Sequence, residues 1–381
     1  MEKEDFKLID KALTEIQKKY GGNNIINLEE DTKLDRFPLS SLAFNDLFSG
    51  GLVKGRIVEI YGQPSNGKSL ISTYFAKEIQ TLSDGFVVFL DYEYSFDPDF
   101  AKRLGLDLSK DKFLLIQPDN IEQGFDMFEA LVKTGKVAYC VADSTNAMKS
   151  ASEEKAELGS ALMGVNARVL GSVQRRLLSL LSQNKCTLVF ISQIRDTLSL
   201  YGGPAIGTGK ATGFNASIRL EVKRVEYLEN DKKEPIGVKM LIRTKKNKTS
   251  NPNKEIEIDF YFDGGIDTVK ELTDYAIKFD VIKKMGSWFL LPDETKLQGK
   301  DKVADYLKTN EKALTEIKEL VDKYLFMLNK KDSEDITPQR TKVETKTEVE
   351  AKPKKAKKEN LTPGFMSDDI PEVEENEETP V

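Results

Sequence analysis

A glycine-bounded run at residues 62–69 is the part of this sequence whose residue types and spacing best suit chemistry. It fits the pattern G-x-x-x-x-G-K-[ST]. Its glycines let the backbone curl so that N–H groups face a phosphate, and the start of a following helix adds partial positive charge. Lys68 is placed to reach the β- and γ-phosphates of a nucleotide, and Ser69 offers a hydroxyl to Mg²⁺. The alternative is a chance turn between a strand and a helix. The predicted nucleotide-binding residues are Gly62, Gln63, Pro64, Ser65, Asn66, Gly67, Lys68 and Ser69.

Carboxylates at the ends of two apolar runs supply further groups that nucleotide hydrolysis needs. Asp143 ends the run at residues 137–142 and is predicted to hold Mg²⁺. Glu93 follows a second run and is the preferred group to polarise an attacking water, with Asp91 as its rival. The chain has no histidine, so a general base must be a carboxylate or a lysine. The other interpretation of residues 91–93 is a strand-end turn without chemistry.

Two glycine-bearing segments and a strand-end amide suggest that a second ligand responds to the nucleotide. Gln193 ends an apolar run, where its amide can hydrogen-bond a γ-phosphate or its water. Residues 195–215 have no apolar period and exceed a normal connection in length, which indicates a functional or a disordered segment. Tyr201 and Phe214 in this segment are available to pack or to touch nucleic-acid bases. A comparable glycine-bearing segment spans residues 151–164.

Alternating strand-like and helical patterns indicate how these residues are positioned. Between about residues 34 and 265 this alternation predicts an α/β fold with a mainly parallel sheet covered by helices. Because the carboxyl ends of parallel strands meet at one edge of a sheet, we expect the strand-end carboxylates beside the phosphate loop. Two later runs have the short connections typical of antiparallel strands. The expected parallel strands lie at residues 56–61, 86–90, 137–142 and 187–191, and the antiparallel pair at 218–222 and 239–243.

Smaller segments flank this alternation. Residues 5–20 carry apolar side chains at helical spacing and are followed by Gly21-Gly22, which predicts an amphipathic helix. Residues 24–28 form a short apolar run that suits a strand. The two segments either pack on their own domain or dock on a neighbouring subunit. Residues 267–328 have helical patterns of their own and predict a smaller second unit.

The pattern ends after residue 330, where we expect a disordered tail. No hydrophobic period survives there, so too little apolar area is present to offset the entropy of ordering. The tail carries a basic cluster at residues 352–358 and an acidic end at residues 368–378. Such charge runs are either simply solvated, or the acidic end competes with DNA phosphates for a basic groove.

Composition bounds the class of protein. The chain has 381 residues, 39% hydrophobic and 31% charged, which suits one large core with appendages. No apolar run approaches the ~18 residues of a membrane span, and the first residues lack signal-peptide character, so we expect a cytoplasmic protein without a membrane partner. Cys140 and Cys186 lie in apolar runs and are expected to be buried and unpaired. A net charge of −6 neither suggests nor excludes a nucleic-acid partner.

The chain also carries further motifs at residues 50–62, Asp97-Pro98, Gln117-Pro118-Asp119, Glu122-Gln123, Met163-Gly164, Gln193-Ile194-Arg195, Lys246-Asn247-Lys248, Gly264-Gly265-Ile266, Gly286-Ser287-Trp288 and Gln298-Gly299-Lys300. Together these motifs resemble the bacterial RecA recombinases over about residues 5–328. The resemblance suggests an α/β fold with a RecA-type P-loop ATPase core, a mixed and mainly parallel sheet, an N-terminal helix–strand arm and a small α+β C-terminal domain. The corresponding domain boundaries are 1–33, 34–266, 267–330 and a tail at 331–381.

The resemblance implies an ATP-dependent recombinase that forms a filament on single-stranded DNA. Such a protein pairs that strand with homologous duplex and exchanges strands in recombination and DNA repair, with ATP and Mg²⁺ as cofactors and DNA-dependent ATP hydrolysis. Its partners are single- and double-stranded DNA and copies of itself; a damage-response repressor and single-strand-binding or loader proteins are further candidates. The alternative is a RecA-like paralogue that acts as a repair accessory or a regulatory oligomer without strand exchange.

The resemblance also assigns roles to individual residues. Glu93 matches the catalytic glutamate, and Gln193 matches the glutamine that senses the γ-phosphate. Lys246 and Lys248 match a lysine pair that reaches ATP across the subunit boundary and, with Lys68, complete the expected catalytic set. Asp97 and Phe100 match the adenine contacts. The residues matching positions in or near the two DNA-binding loops are Met163, Gly164, Arg168, Arg175, Tyr201 and Phe214.

Overall fold

The described part of the chain covers most of residues 3–335. The computed structural model describes residues 3–20, 34–157, 164–195, 205–206 and 211–335. They belong to one compact unit, Met1–Thr337, and a second unit, Pro338–Val381, lies outside the described residues. The helices are α1 (Lys3–Tyr20), α2 (Leu42–Leu47), α3 (Lys68–Leu82), α4 (Pro98–Arg103), α5 (Ile121–Val132), α6 (Ala151–Glu154), α7 (Val165–Gln183), α8 (Ala211–Asn215), α9 (Thr268–Lys278), α10 (Lys300–Thr309) and α11 (Glu311–Asp335). The strands are β1 (Arg36–Phe37), β2 (Leu52–Val53), β3 (Ile57–Gly62), β4 (Phe86–Asp91), β5 (Phe113–Ile116), β6 (Val137–Asp143), β7 (Thr187–Arg195), β8 (Ala205–Ile206), β9 (Ile218–Glu229), β10 (Pro235–Asn247), β11 (Glu255–Tyr261), β12 (Gly265–Ile266), β13 (Lys283–Met285), β14 (Trp288–Leu290) and β15 (Lys296–Gln298).

A ten-stranded mixed sheet forms the centre of this unit. Its order is β12-β11-β10-β9-β3-β7-β6-β4-β5, with β8 paired to β7. The strands from β9 to β5 are parallel neighbours, whereas β10, β11 and β12 join antiparallel. The predicted α/β fold with a mixed, mainly parallel sheet is therefore confirmed. The antiparallel prediction holds for β9 with β10, but β9 also lies parallel to β3 on its other side.

Both faces of the central strands β3, β4, β6 and β7 are buried under helices. On β3 the neighbouring side chains Ile57 and Val58 enter different buried clusters, as expected when successive residues of a strand face opposite sides. Helix α3 covers one cluster, with Phe75 fully buried, and helices α5 and α7 cover the other. Such two-sided burial explains why the strands read as continuous apolar runs.

The two cysteines are both free and buried, as predicted. Cys140 on β6 and Cys186 just before β7 lie in the cluster beneath α5 and α7. Burial raises the pKa of both thiols, which keeps them in the protonated, weakly reactive form.

The carboxyl ends of four neighbouring strands meet at one edge of the sheet. In the strand registers Gly62 on β3 lies opposite Gln193 on β7, and Asp91 on β4 lies opposite Asp143 on β6. Crevices at this edge of open α/β sheets are where ligands bind. The sheet order therefore brings these residues to one place.

A smaller α+β unit follows the large sheet. It contains the antiparallel sheet β13-β14-β15 and helices α9, α10 and α11. Glu271 on α9 fixes it to the core, since its carboxylate accepts hydrogen bonds from Ser41 Oγ (2.8 Å) and the backbone N–H of Leu42 (2.6 Å). Helix α11 runs on to Asp335, past the expected boundary at residue 330.

The ends of the chain are described only in part. The predicted helix over residues 5–20 is present as α1, and its side chains Leu8, Ile9 and Ile16 are exposed. The expected strand at residues 24–28 and the tail from residue 336 lie outside the described residues. None of the helices in the described ranges combines the length and apolar character that a membrane crossing needs.

Candidate nucleotide-binding site

The phosphate loop joins β3 to α3 with the geometry its glycines permit. Gly67 has φ +90°, a left-handed conformation that L side chains rarely adopt, and it directly precedes the first residue of α3. At Gly62 an added Cβ would lie 2.3 Å from the carbonyl oxygen of Val222 on β9. Asn66 donates from Nδ2 to that same oxygen at 3.2 Å. The loop is thus held closely against β9.

Lys68 is folded back onto its own loop. Its Nζ donates to the carbonyl oxygen of Gln63 at 2.8 Å, and the residue is 6% exposed. Burial lowers the pKa of Lys68, while the charges of Asp143 and Glu93 act in the opposite direction. A phosphate group would offer this ammonium a stronger, charged acceptor than a carbonyl.

Ser69 and Asp143 present two adjacent oxygen atoms that suit a hard cation. Ser69 Oγ donates to Asp143 Oδ2 at 2.8 Å. Ligands at right angles on Mg²⁺, with bonds of about 2.1 Å, lie about 3 Å apart, so this pair fits one coordination sphere. Within the described ranges no group of three acidic, histidine or cysteine side chains forms a metal cage.

The burial of Asp143 has a second consequence. It raises the pKa of Asp143 to about 7; the Ser69 hydrogen bond opposes this rise, and the charge of Glu93 adds to it. A carboxylate in this environment gains from a cation beside it, because a positive charge offsets the cost of burying a negative one.

Glu93 and Gln193 are in contact. Gln193 Nε2 donates to Glu93 Oε1 at 3.0 Å, and Ser144 Oγ donates to the same atom. Asn146, which the sequence reasoning missed, fixes the backbone of Gln193: its Oδ1 accepts from Gln193 N at 2.7 Å, and its Nδ2 donates to Gln193 O at 3.3 Å. The group expected to act on water and the group expected to sense the γ-phosphate therefore share one hydrogen-bond network.

The rival base Asp91 lies deeper than Glu93. It is 3% exposed, and its carboxylate accepts three hydrogen bonds. Glu93 is exposed to the crevice. The geometry thus favours Glu93 as the group that meets a water molecule.

These side chains surround one cavity of about 580 Å³, a volume typical of ligand sites. Of the residues singled out from the sequence, its lining includes Pro64, Ser65, Gly67, Lys68, Ser69, Glu93, Asp97, Phe100, Asp143 and Gln193. Gly62, Gln63 and Asn66 do not line the cavity, and they hold the loop in place through the contacts described above. Asp91, the rival base, also lines the cavity, and the lining residues not assigned a role from the sequence are Leu70, Thr73, Phe89, Ser95, Phe96, Ala101 and Ile191. Of these, Thr73 had a signal in its spacing, one helical turn after Ser69.

Asp97 and Phe100 lie together at one side of the cavity. Asp97 precedes α4 as its N-cap, and its Oδ1 accepts from the backbone N–H groups of Asp99 and Phe100, both at 2.9 Å. This cap fixes the first turn of α4 and with it the Phe100 ring, which lines the cavity.

The lysines at the end of β10 do not line this cavity. Lys246 Nζ donates to the carbonyl oxygens of Gly213 (2.8 Å) and Phe214 (2.9 Å) on α8. Lys248 is exposed just past the strand. Both therefore lie outside the nucleotide site of their own chain, beside the segment predicted to contact DNA.

The described candidates for DNA contact occupy helix ends and exposed faces. Gly164 precedes α7 with φ +73°, and Arg168 and Arg175 are exposed on that helix. Phe214 on α8 is 71% exposed. Met163 and Tyr201 lie outside the described residues.

Comparison with known proteins agrees with this geometry. A family model described as the RecA N-terminal domain matches residues 7–267, and one described as the RecA C-terminal domain matches residues 270–325. "Protein RecA" of Enterococcus hirae is 35% identical over 318 residues, which cover 82% of this chain and 91% of the relative. "Protein RecA" of Bacillus velezensis is 32% identical over 347 residues, covering 90% and 98%, and that of Frankia alni is 32% identical over 337 residues, covering 87% and 96%. This chain belongs to the RecA family.

Proposed function

We propose that this RecA-family chain is a DNA-dependent ATPase that assembles on single-stranded DNA, pairs it with homologous duplex and exchanges strands in recombination and repair. The observation that carries the proposal is the grouping of Lys68, Ser69, Asp143, Glu93 and Gln193 around one cavity at the carboxyl edge of the sheet. The names of the relatives support the recombinase role.

Each residue of this group has a distinct task. ATP and Mg²⁺, when bound, supply the phosphoanhydride bond and the charge that neutralises its oxygens. Lys68 leaves the Gln63 carbonyl to hold the β- and γ-phosphates, and Ser69 and Asp143 hold the cation. Glu93 orients a water molecule and accepts its proton. Asp97 and Phe100 enclose the adenine ring of the nucleotide.

Gln193 links turnover to the second glycine-bearing segment. Its amide, which donates to Glu93 at 3.0 Å, is free to turn toward a γ-phosphate, and strand β7 continues from it to Arg195 at the start of residues 195–215. A change at Gln193 is thereby passed to the segment that carries Tyr201 and Phe214.

Self-assembly is supported by two features of the single chain. Lys246 and Lys248 lie outside their own cavity, where a neighbouring chain's nucleotide can recruit them. Helix α1 exposes Leu8, Ile9 and Ile16, which suits docking of residues 1–33 on a neighbour. The proposed product is a helical filament in which each nucleotide site is completed by the next chain.

DNA binding is assigned to the residues on α7 and α8 and in the glycine-bearing segments. Arginines that reach phosphates bind without regard to sequence, and removing one of them lowers the salt slope of log K by about one unit. Arg175→Ala should do so. Arg176→Ala is the matched control, since Arg176 on the same helix already binds Asp126 (2.7 Å) and Glu129 (2.8 Å) on α5.

The decisive experiment is electron microscopy of the full chain with single-stranded DNA and a non-hydrolysable ATP analogue, together with strand-exchange and ATPase assays. Helical filaments with DNA-stimulated turnover and strand exchange are expected. Closed rings or monomers without strand exchange would instead indicate the repair-accessory or regulatory paralogue. A cytoplasmic location, a damage-response role and interactions with a repressor or with single-strand-binding and loader proteins belong to the same proposal.

A further inference from the structure

Glu93 lies in a tight turn between β4 and α4, and contacts with the rest of the protein must hold that turn in shape. The next residue, Tyr94, has φ +55°, a left-handed conformation that is uncommon for a side chain other than glycine. Tyr94 is also 60% exposed, so its ring is not what fixes the turn. The position of the Glu93 carboxylate therefore depends on the contacts that hold the turn, as well as on the hydrogen bonds it accepts from Gln193 and Ser144.

The Asp91 carboxylate supplies that support. Its Oδ1 accepts from the backbone N–H of Ser95 at 3.2 Å, and its Oδ2 accepts from the backbone N–H of Phe96 at 3.1 Å. Glu93 lies between the acceptor and these two donors in the chain. Asp91 is nearly inaccessible to water, so these two hydrogen bonds hold the turn closed around its side chain.

The two ends of the turn are anchored separately. At its start the backbone N–H of Tyr92 donates to Asp143 O at 2.7 Å. At its end the Phe96 ring packs against Phe89 and Phe113, with ring centroids 5.2 and 5.3 Å apart. Asp91 holds the last two residues of the turn through their backbone N–H groups, and Glu93 projects toward Gln193 from the stretch before them.

A residue outside the cavity completes the support. Gln117, at the end of β5, donates from Nε2 to Asp91 Oδ2 at 3.1 Å. It is exposed and does not line the cavity, so it meets neither nucleotide nor water there. Its described route to the site is through Asp91.

We propose that Asp91 and Gln117 are positioning residues for the Glu93 carboxylate, acting through the turn at residues 92–96. The inference rests on the proposed ATPase function and deepens it. It assigns Asp91 the task of placing the base instead of serving as one. It also extends the functional site to β5, the outermost strand on that side of the sheet.

Gln117→Ala is the cleanest test, because it changes no charge and truncates an exposed side chain. Loosening a catalytic group by a fraction of an ångström costs on the order of tenfold in rate, so kcat for DNA-stimulated ATP hydrolysis should fall about tenfold. The Kd for an ATP analogue should change less than about twofold, since no nucleotide contact is removed. Asp91→Asn should lower kcat further. Asp111→Asn, an exposed carboxylate before β5, is the control that should behave as the parent chain.

A second background separates positioning from general structural support. In Glu93→Gln chains the base is already absent, so Gln117→Ala should change the residual rate by less than about twofold. Equal losses of kcat in both backgrounds, a loss confined to nucleotide affinity, or no loss at all would overturn the inference. If the parent chain has no ATP turnover, the proposed function is overturned as well. If the parent chain turns over ATP and Gln117→Ala does so at the same rate, only this inference is overturned.

Discussion

Replacing Glu93 with glutamine isolates the chemical role of this side chain from its structural one. Both hydrogen bonds that Glu93 accepts, from Gln193 Nε2 at 3.0 Å and from Ser144 Oγ, fall on Oε1. The amide oxygen of glutamine can occupy that position and accept both. The variant should therefore keep the turn, the fold and the nucleotide contacts, and lose only the basic carboxylate.

The expected loss follows from what a positioned general base contributes. Proton transfer by such a group is worth about 10²–10⁴ in rate, or about 3–5 kcal/mol of transition-state stabilisation. With no histidine in the chain, no imidazole can replace the lost base. We expect kcat to fall by at least about 10²-fold, with the Kd for ATP within about twofold of the parent value.

Steady-state ATP turnover with single-stranded DNA, run beside fluorescence titration of an ATP analogue, measures the two quantities separately. Glu319→Gln is a suitable control, because it removes an exposed carboxylate of α11 that lies outside the cavity and outside the segments assigned to DNA. The Glu93→Gln variant should also form long-lived filaments that do not turn over. Turnover within about threefold of the parent chain would refute the assignment of Glu93, since a base worth a decade or more would then lie elsewhere.

Three further predictions concern the loop, the small domain and the tail. Gly62→Ala should weaken ATP binding and lower Tm, because its Cβ would lie 2.3 Å from the Val222 carbonyl oxygen, and that backbone cannot easily move away. The expected loss of stability is about 1–3 kcal/mol. An unchanged Kd for ATP would contradict this close approach. Burial raises the pKa of Glu271 from 4.5 to about 7, so the folded state binds a proton that the unfolded state has released. Stability should then be greatest below about pH 4.5 for this group and decline by up to about 3 kcal/mol as pH rises through 7. Urea unfolding of Glu271→Gln should lack that part of the slope, and a variant with the parent slope would show that another group titrates. Deleting residues 368–381 should raise affinity for duplex DNA, more strongly at low salt, and binding with an unchanged salt dependence would show that the acidic end is only solvated.

The phosphate loop and the class of fold were predictable because their signals are local. The loop residues act through backbone geometry within one short segment, and the parallel strands are recognisable as uninterrupted apolar runs. The predicted sheet is confirmed on that basis. Strand β9 was only half predicted, because its short connection to β10 is visible in the sequence but its pairing with β3 is not.

Other parts of the candidate site depend on distances between segments that a sequence does not display. Asn146 meets Gln193 only because β6 and β7 are neighbours, and Gln117 reaches Asp91 only because β5 lies beside β4. Phe89 and Phe96 pack against each other, and both also line the cavity. When a side chain gains its role from the order of strands in the sheet, its spacing in the sequence does not indicate that role.

The burial of both cysteines makes this chain convenient for thiol-specific labelling. Cys140 and Cys186 are the only cysteines of the sequence, and both lie in the buried cluster beneath α5 and α7. Because burial also raises the pKa of both thiols, maleimide reagents should leave them unmodified in the folded state. Val225 on β9 is 48% exposed and lies three positions beyond Val222, whose carbonyl contacts the phosphate loop. A fluorophore on Val225→Cys would therefore be attached at one site, on the strand that contacts the phosphate loop, without any change to the native thiols.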